Sequence, residues 1–147
     1  MSGEARMTEI VPPPLCALSL SDLVRAIVER DQFACVLCGN YVAGGLKSMH
    51  HRVLGDRSVN EPWNLITLCG SGTTLCHGWT HGIAVASYPK PSRSEITDSG
   101  YIVSRHHKHP WLVPVWFNQP PTRDGYYLLG HDLTVTEYQP ERNPSCN

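Results

Sequence analysis

The 147-residue chain lacks any run of 18 apolar residues, so no membrane span is expected. Its opening stretch, MSGEARMTEIVPPP, carries acids and a proline run and lacks the basic-then-apolar layout of a secretory leader. A cytoplasmic protein is therefore the expectation. No internal repeat is visible. A charge excess is also missing: the formal net charge of −1 gives no overall pull toward nucleic acid. The distribution is less even. Residues 47–123 hold eight basic residues (Lys47, Arg52, Arg57, Lys90, Arg93, Arg105, Lys108, Arg123) against four acids (Asp56, Glu61, Glu95, Asp98). That region is +4 and the two ends are acidic. A locally positive surface is what phosphate binding requires, although charge alone fits a scattered solvated surface equally well.

The length suits one domain with modest tails. Residues 1–17 read as a disordered arm. "SLSDLVRAIVERD" predicts a packing helix capped by Ser19 or Ser21, with Leu20, Leu23, Val24, Ile27 and Val28 at helical spacing. "CVLCGN" is a knuckle-type turn. "YVAGGLKSMHHRVL" reads as a hairpin turning at Gly44-Gly45, and "NLITLC" as a β-prone strand. "CHGWTHGIAVAS" reads as a short helix weakened by Gly78 and Gly82. Residues 89–99 read as a proline-rich linker. Residues 100–140 read as a β-rich extension with strands in "GYIVSR", "LVPVWF", "GYYLLG" and "LTVTEY", its core built by Trp111, Trp116, Tyr126 and Tyr127. Residues 141–147 form a tail.

Six cysteines without a secretory leader favour metal over disulfides. Cys35 and Cys38 form one pair, and Cys69 and Cys76 a second, about thirty residues on. Four thiolates can close a tetrahedral zinc site; the alternative is four buried free cysteines acting as small hydrophobes. Cys16 and Cys146 lie in the tails and receive no role. His77 and His81 stand four apart, so a helix places them on one face, where they can hold a divalent ion or simply meet solvent.

Taken together, "CVLC…SMHHRV…NLITLC…CHGWTH", within residues 30–82, resembles the HNH endonucleases, also called ββα-metal or His-Me finger nucleases. The resemblance implies an α+β fold: a zinc-stabilised ββα-metal core over residues 18–88, preceded by a helix and followed by the small β extension. It implies a metal-dependent DNA endonuclease that leaves a 5′-phosphate and a 3′-hydroxyl. His51 is then the general base. His50, His77 and His81 hold the catalytic divalent cation (magnesium, manganese, nickel, cobalt or zinc), and Cys35, Cys38, Cys69 and Cys76 hold a structural zinc. Asn64 is the family's central asparagine, which bonds the loop and keeps His51 oriented; Asn60 is a weaker candidate. Arg52 and Arg57 are the candidate DNA phosphate contacts. Small members of the family from bacteriophages suggest a packaging role beside the phage terminase in a bacterial host, or a mobile-element or restriction nuclease. The second cysteine pair is four residues wider than the family spacing, so the site survives only if those residues bulge out as a loop.

Two other classes stay open at this point: a zinc-stabilised nucleic-acid-binding module that does not cut, and a disulfide-stapled structural protein. His106, His107 and His109 read as an exposed loop rather than a second metal site. Trp79 is expected to face away from the metal.

Overall fold

The structure, a computed structural model, describes residues 18–42, 44–86 and 88–140. The arm 1–17 and tail 141–147, with Cys16 and Cys146, lie outside the described residues. Helix α1 spans Leu20–Arg30 and is capped by Ser19, whose hydroxyl accepts from the Asp22 amide. Its buried face is Leu23, Ile27 and Val28, while Leu20 at the first turn is exposed. At the other end, the buried Arg30 guanidinium pairs with the Asp31 carboxylate and donates to the carbonyls of Pro62 and Leu65, both at 2.6 Å. Asp31 in turn accepts the Thr67 amide at 2.8 Å. The helix is thereby clamped onto the strand that follows Pro62. Each guanidinium nitrogen of Arg30 and both carboxylate oxygens of Asp31 have a partner, as burial of charge demands.

Strand β1 (Lys47–His51) pairs antiparallel with β2 (Leu65–Cys69), with His50 opposite Ile66 and His51 opposite Leu65. The hairpin predicted around Gly44-Gly45 is replaced by two local structures. Ala34 and Tyr41 make an isolated bridge that closes the cysteine knuckle, and β1 takes β2 as its partner instead. The apolar "LITL" run is buried on both faces, and β1 supplies its ladder partner. Helix α2 covers only Leu75–Thr80, with His81 as its C-cap; the helix stops short of the predicted length because Gly82 takes φ +83°, a left-handed conformation that ends helices. The stretch read as a linker contains helix α3, Arg93–Asp98, started by a capping box between Ser92 and Glu95.

A three-stranded antiparallel sheet follows: β3 (Val115–Gln119), β4 (Arg123–Leu129) and β5 (Val135–Glu137). "GYIVSR" forms no strand beyond one parallel bridge from Val103 to Val53. The second sheet has no core of its own. Val115, Phe117 and Leu129 join Val36, Val53, Trp63, Ile66 and Leu68 in a single buried cluster. Trp116 and Tyr126, read as core, instead stack edge-to-face with ring centroids 5.1 Å apart, Trp116 on the exposed face of its strand. Among the described residues no helix is long and apolar enough to cross a membrane.

Arg52 corrects the sequence reading most directly. It is fully buried, and no phosphate can reach it. Its guanidinium donates to the carbonyls of Gly100 (2.7 Å), Trp63 (2.9 Å) and Val113 (2.6 Å), joining the end of β1 to the approach to β3. Burial, with the Arg30 charge nearby, pushes its pKa down to about 9, so it still carries its charge at neutral pH. Arg57 is exposed, and its Nη1 donates to the Arg105 carbonyl at 3.3 Å.

Candidate metal centre

Two clusters of ligating side chains meet at the end of the β1–β2 pair and the start of α2. The first is Cys35, Cys38, Cys69 and Cys76, whose sulfurs all lie within 4.8 Å of one another. Sulfurs bound at ~2.3 Å to one tetrahedral zinc lie about 3.8 Å apart. Cys38 Sγ and Cys69 Sγ are 3.8 Å apart. All four are free thiols, so the disulfide reading fails for them. The knuckle that presents Cys35 and Cys38 depends on Gly39, at φ +77°, where a Cβ would stand 2.6 Å from the Asn118 carbonyl oxygen. The four extra residues of the second pair do bulge outward: Ser71 to Thr74 are exposed, and the Ser71 amide donates to Thr74 Oγ1. The sulfurs at the two ends of the loop stay together.

Crowding disturbs these thiols. Hydrogen bonding with Cys38, then Cys69 and Cys76, together with burial, pushes Cys35 up. The hydrogen bond from Cys35 draws Cys38 down and Cys69 down to about 6. Four sulfurs this close cannot all ionise by themselves; a divalent cation at their centre allows it. The set suits a structural metal such as zinc.

The second cluster is His50, His77 and His81, with ligating nitrogens also within 4.8 Å of one another and ring centroids 5.0–5.3 Å apart. His50 points inward from β1. Its Nε2 donates to the Tyr101 carbonyl at 2.6 Å, which leaves Nδ1 as the lone-pair nitrogen. That Nδ1 is buried without a hydrogen-bond partner among the described residues. An orphaned acceptor beside two further imidazoles is what a metal ligand looks like before the metal is considered, so the donor set fits a divalent cation. His77 sits on α2 directly after Cys76, and its Nδ1 bonds Ser48 Oγ. His81 closes the set from the helix C-cap.

Burial favours the neutral, ligating form of all three rings. It pushes His50 down to about 3, with the His77, His81 and Arg52 charges adding to the effect. It pushes His77 down to about 4, helped by His81 and His51. Burial also lowers His81.

His51, next along β1, turns to the opposite face, as strand alternation requires. Its Nε2 meets Asn60 Oδ1 at 2.8 Å. Asn64, the residue assigned to orient His51, makes no side-chain hydrogen bond to it. Asn64 is fully buried: its Oδ1 accepts the Val53 amide (2.7 Å) and its Nδ2 donates to the Val59 carbonyl (2.8 Å). Asn64 thus pins both ends of the 53–59 loop, and Asn60, just beyond that loop, holds the histidine. Ser48 was not among the sequence candidates. The usable signal was its place two residues before His50, on the same face of β1.

Several other sequence readings can be placed. His106 and His107 are exposed, and His109 rests edge-on against Trp111, 5.4 Å away. The Trp79 indole donates to the Pro89 carbonyl and packs beside Tyr88 and Tyr101. A comparison with family models, with curated proteins and with solved structures finds no match to this chain. Fold and site therefore define it by themselves: a small α+β protein carrying a four-cysteine and a three-histidine cluster, each at metal-ligand spacing.

Proposed function

We propose that the protein is a metal-dependent DNA endonuclease of the HNH type. The observation that carries this reading is the pairing of three converging neutral imidazoles with a fourth, His51, held separately on the other face of the same strand. The order β1, β2, α2 and the resemblance of residues 30–82 support it.

His51 takes the part of general base. With Nε2–H donated to Asn60, its Nδ1 keeps a lone pair to accept the proton of an attacking water. Asn60 anchors the ring through Nε2, and Asn64 holds the loop that ends just before Asn60. His50, His77 and His81 hold the cation. When bound, that cation supplies charge stabilisation to the phosphodiester and to the leaving oxygen. Arg57 and Arg105, on adjoining loops, offer charge to flanking phosphates. The products are a 5′-phosphate and a 3′-hydroxyl.

Supercoiled plasmid incubated with the protein and magnesium, manganese, nickel or EDTA tests this. Metal-dependent nicking is expected, and His51→Ala should slow it by roughly 10²–10⁴-fold. No cleavage with any metal, from a chain that still carries zinc, would replace the nuclease by the non-cleaving nucleic-acid-binding module.

A further inference from the structure

We infer that Ser48 is a positioning residue of the histidine centre: its hydroxyl holds His77 in the Nδ1–H form and ties that ring to the mouth of the cysteine loop. The inference rests on the metal-site reading above and adds a residue that reading did not contain.

The count of protons around Ser48 fixes the tautomer. Ser48 Oγ lies 2.8 Å from the Gly70 carbonyl oxygen, which can only accept. The single hydroxyl proton of Ser48 is therefore spent on Gly70. The same Oγ bonds His77 Nδ1, so Ser48 must accept there and His77 Nδ1 must carry the proton. The lone pair of His77 then sits on Nε2, the nitrogen left for a metal. An imidazole in water prefers the opposite arrangement, with the proton on Nε2, so the serine works against the ring's own bias.

His50 is fixed by the same device in mirror form: the Tyr101 carbonyl takes its Nε2–H and frees Nδ1. Hydrogen bonds from ligand to neighbour are how proteins set which histidine nitrogen meets the metal. Ser48 also connects the two clusters. Gly70 follows Cys69 and His77 follows Cys76, so one hydroxyl bridges both ends of the bulged loop. A disturbance of that loop reaches the histidines through Ser48 as well as through the chain.

The test compares the zinc-loaded, nickel-free wild type with Ser48→Ala and Ser48→Thr. Long-range ¹H–¹⁵N spectra, with His77→Gln for assignment, read the tautomer of His77. Calorimetric titration with nickel reads the affinity, and metal analysis checks that the cysteine zinc is retained. The wild type and Ser48→Thr should show Nδ1–H. Ser48→Ala should move toward Nε2–H and bind nickel roughly 10–100-fold more weakly with its zinc unchanged. A wild-type His77 protonated on Nε2, or Ser48→Ala with wild-type tautomer and affinity, overturns the inference. The tautomer is read without nickel. A wild type that shows Nδ1–H but takes up no nickel therefore refutes the metal-site reading while upholding the role of Ser48.

Discussion

His50 and Arg52 stand two places apart, and both are fully buried, yet they do opposite work. His50 keeps a lone pair with nothing to bond, which marks a site. Arg52 spends its donors on three backbone carbonyls, which marks a structural tie. Removing Arg52 strands the carbonyls of Gly100, Trp63 and Val113, each costing about 1–3 kcal/mol when buried and unpaired. Arg52→Ala is therefore expected to lower stability by about 3 kcal/mol or more in urea denaturation. Arg52→Lys should recover only part, since one ammonium cannot reproduce the guanidinium fork. Any fall in the proposed nuclease activity of these variants should track the folded fraction. Stability within about 0.5 kcal/mol of the wild type would contradict the tie.

At the scale of elements, the cysteine loop between β2 and α2 decides whether both clusters exist. Gly70 opens it at φ +88°, and a Cβ there would stand 2.3 Å from the Thr74 carbonyl oxygen. Gly72, at the exposed tip, has nothing within 4 Å. Gly70→Ala should therefore lose zinc faster than the wild type under chelator challenge, read by a colorimetric zinc indicator, and should weaken nickel binding as well, because His77 adjoins Cys76. Gly72→Ala should match the wild type in both. Equal zinc retention in the two variants would show that the loop's entry does not govern the cluster. The stretch "CHGWTHGIAVAS" reads as helical throughout, but the helix ends at Thr80, and with His81 as its cap the His77 and His81 rings still stand 5.0 Å apart.

For the whole molecule, the buried histidines make stability depend on pH in one direction. His50 and His77 are held below the ordinary 6.5, at about 3 and about 4. As pH falls through 6.5 the unfolded chain takes up protons at these positions, while the metal-free fold does not until the lower values are reached. Unfolding is thus favoured progressively as pH drops from about 6.5 toward 3–4, and above 6.5 these residues contribute no slope. Urea midpoints of zinc-loaded protein without other metal should fall over that window, and His50→Gln should flatten part of the fall. A wild-type midpoint constant between pH 7 and 5 would contradict the neutral burial of these rings. The apolar cluster that runs from Val36 through Val53 and Val103 to Leu129 also ties the fate of the second sheet to that of the site. Tyr101, whose carbonyl orients His50, belongs to that later half of the chain.

The sequence by itself determined the short-range chemistry. Paired cysteines, adjacent histidines on a strand and a capped amphipathic helix are patterns of a few residues, and backbone periodicity projects them into space without help. It also determined that His50 and His51 face opposite ways, because a strand alternates. Contacts between residues far apart on the chain were decided only by tertiary structure. Arg52 was buried by segments 48 and 61 residues away. Asn60 rather than Asn64 reached His51 because the loop between them folds back. Ser48 met His77 across 29 residues, through a register between β1 and β2 that local pattern did not reveal. Polar residues are ambiguous in a sequence for this reason: whether a guanidinium, an amide or a hydroxyl meets solvent, a ligand or a buried carbonyl depends on what the rest of the chain packs against it.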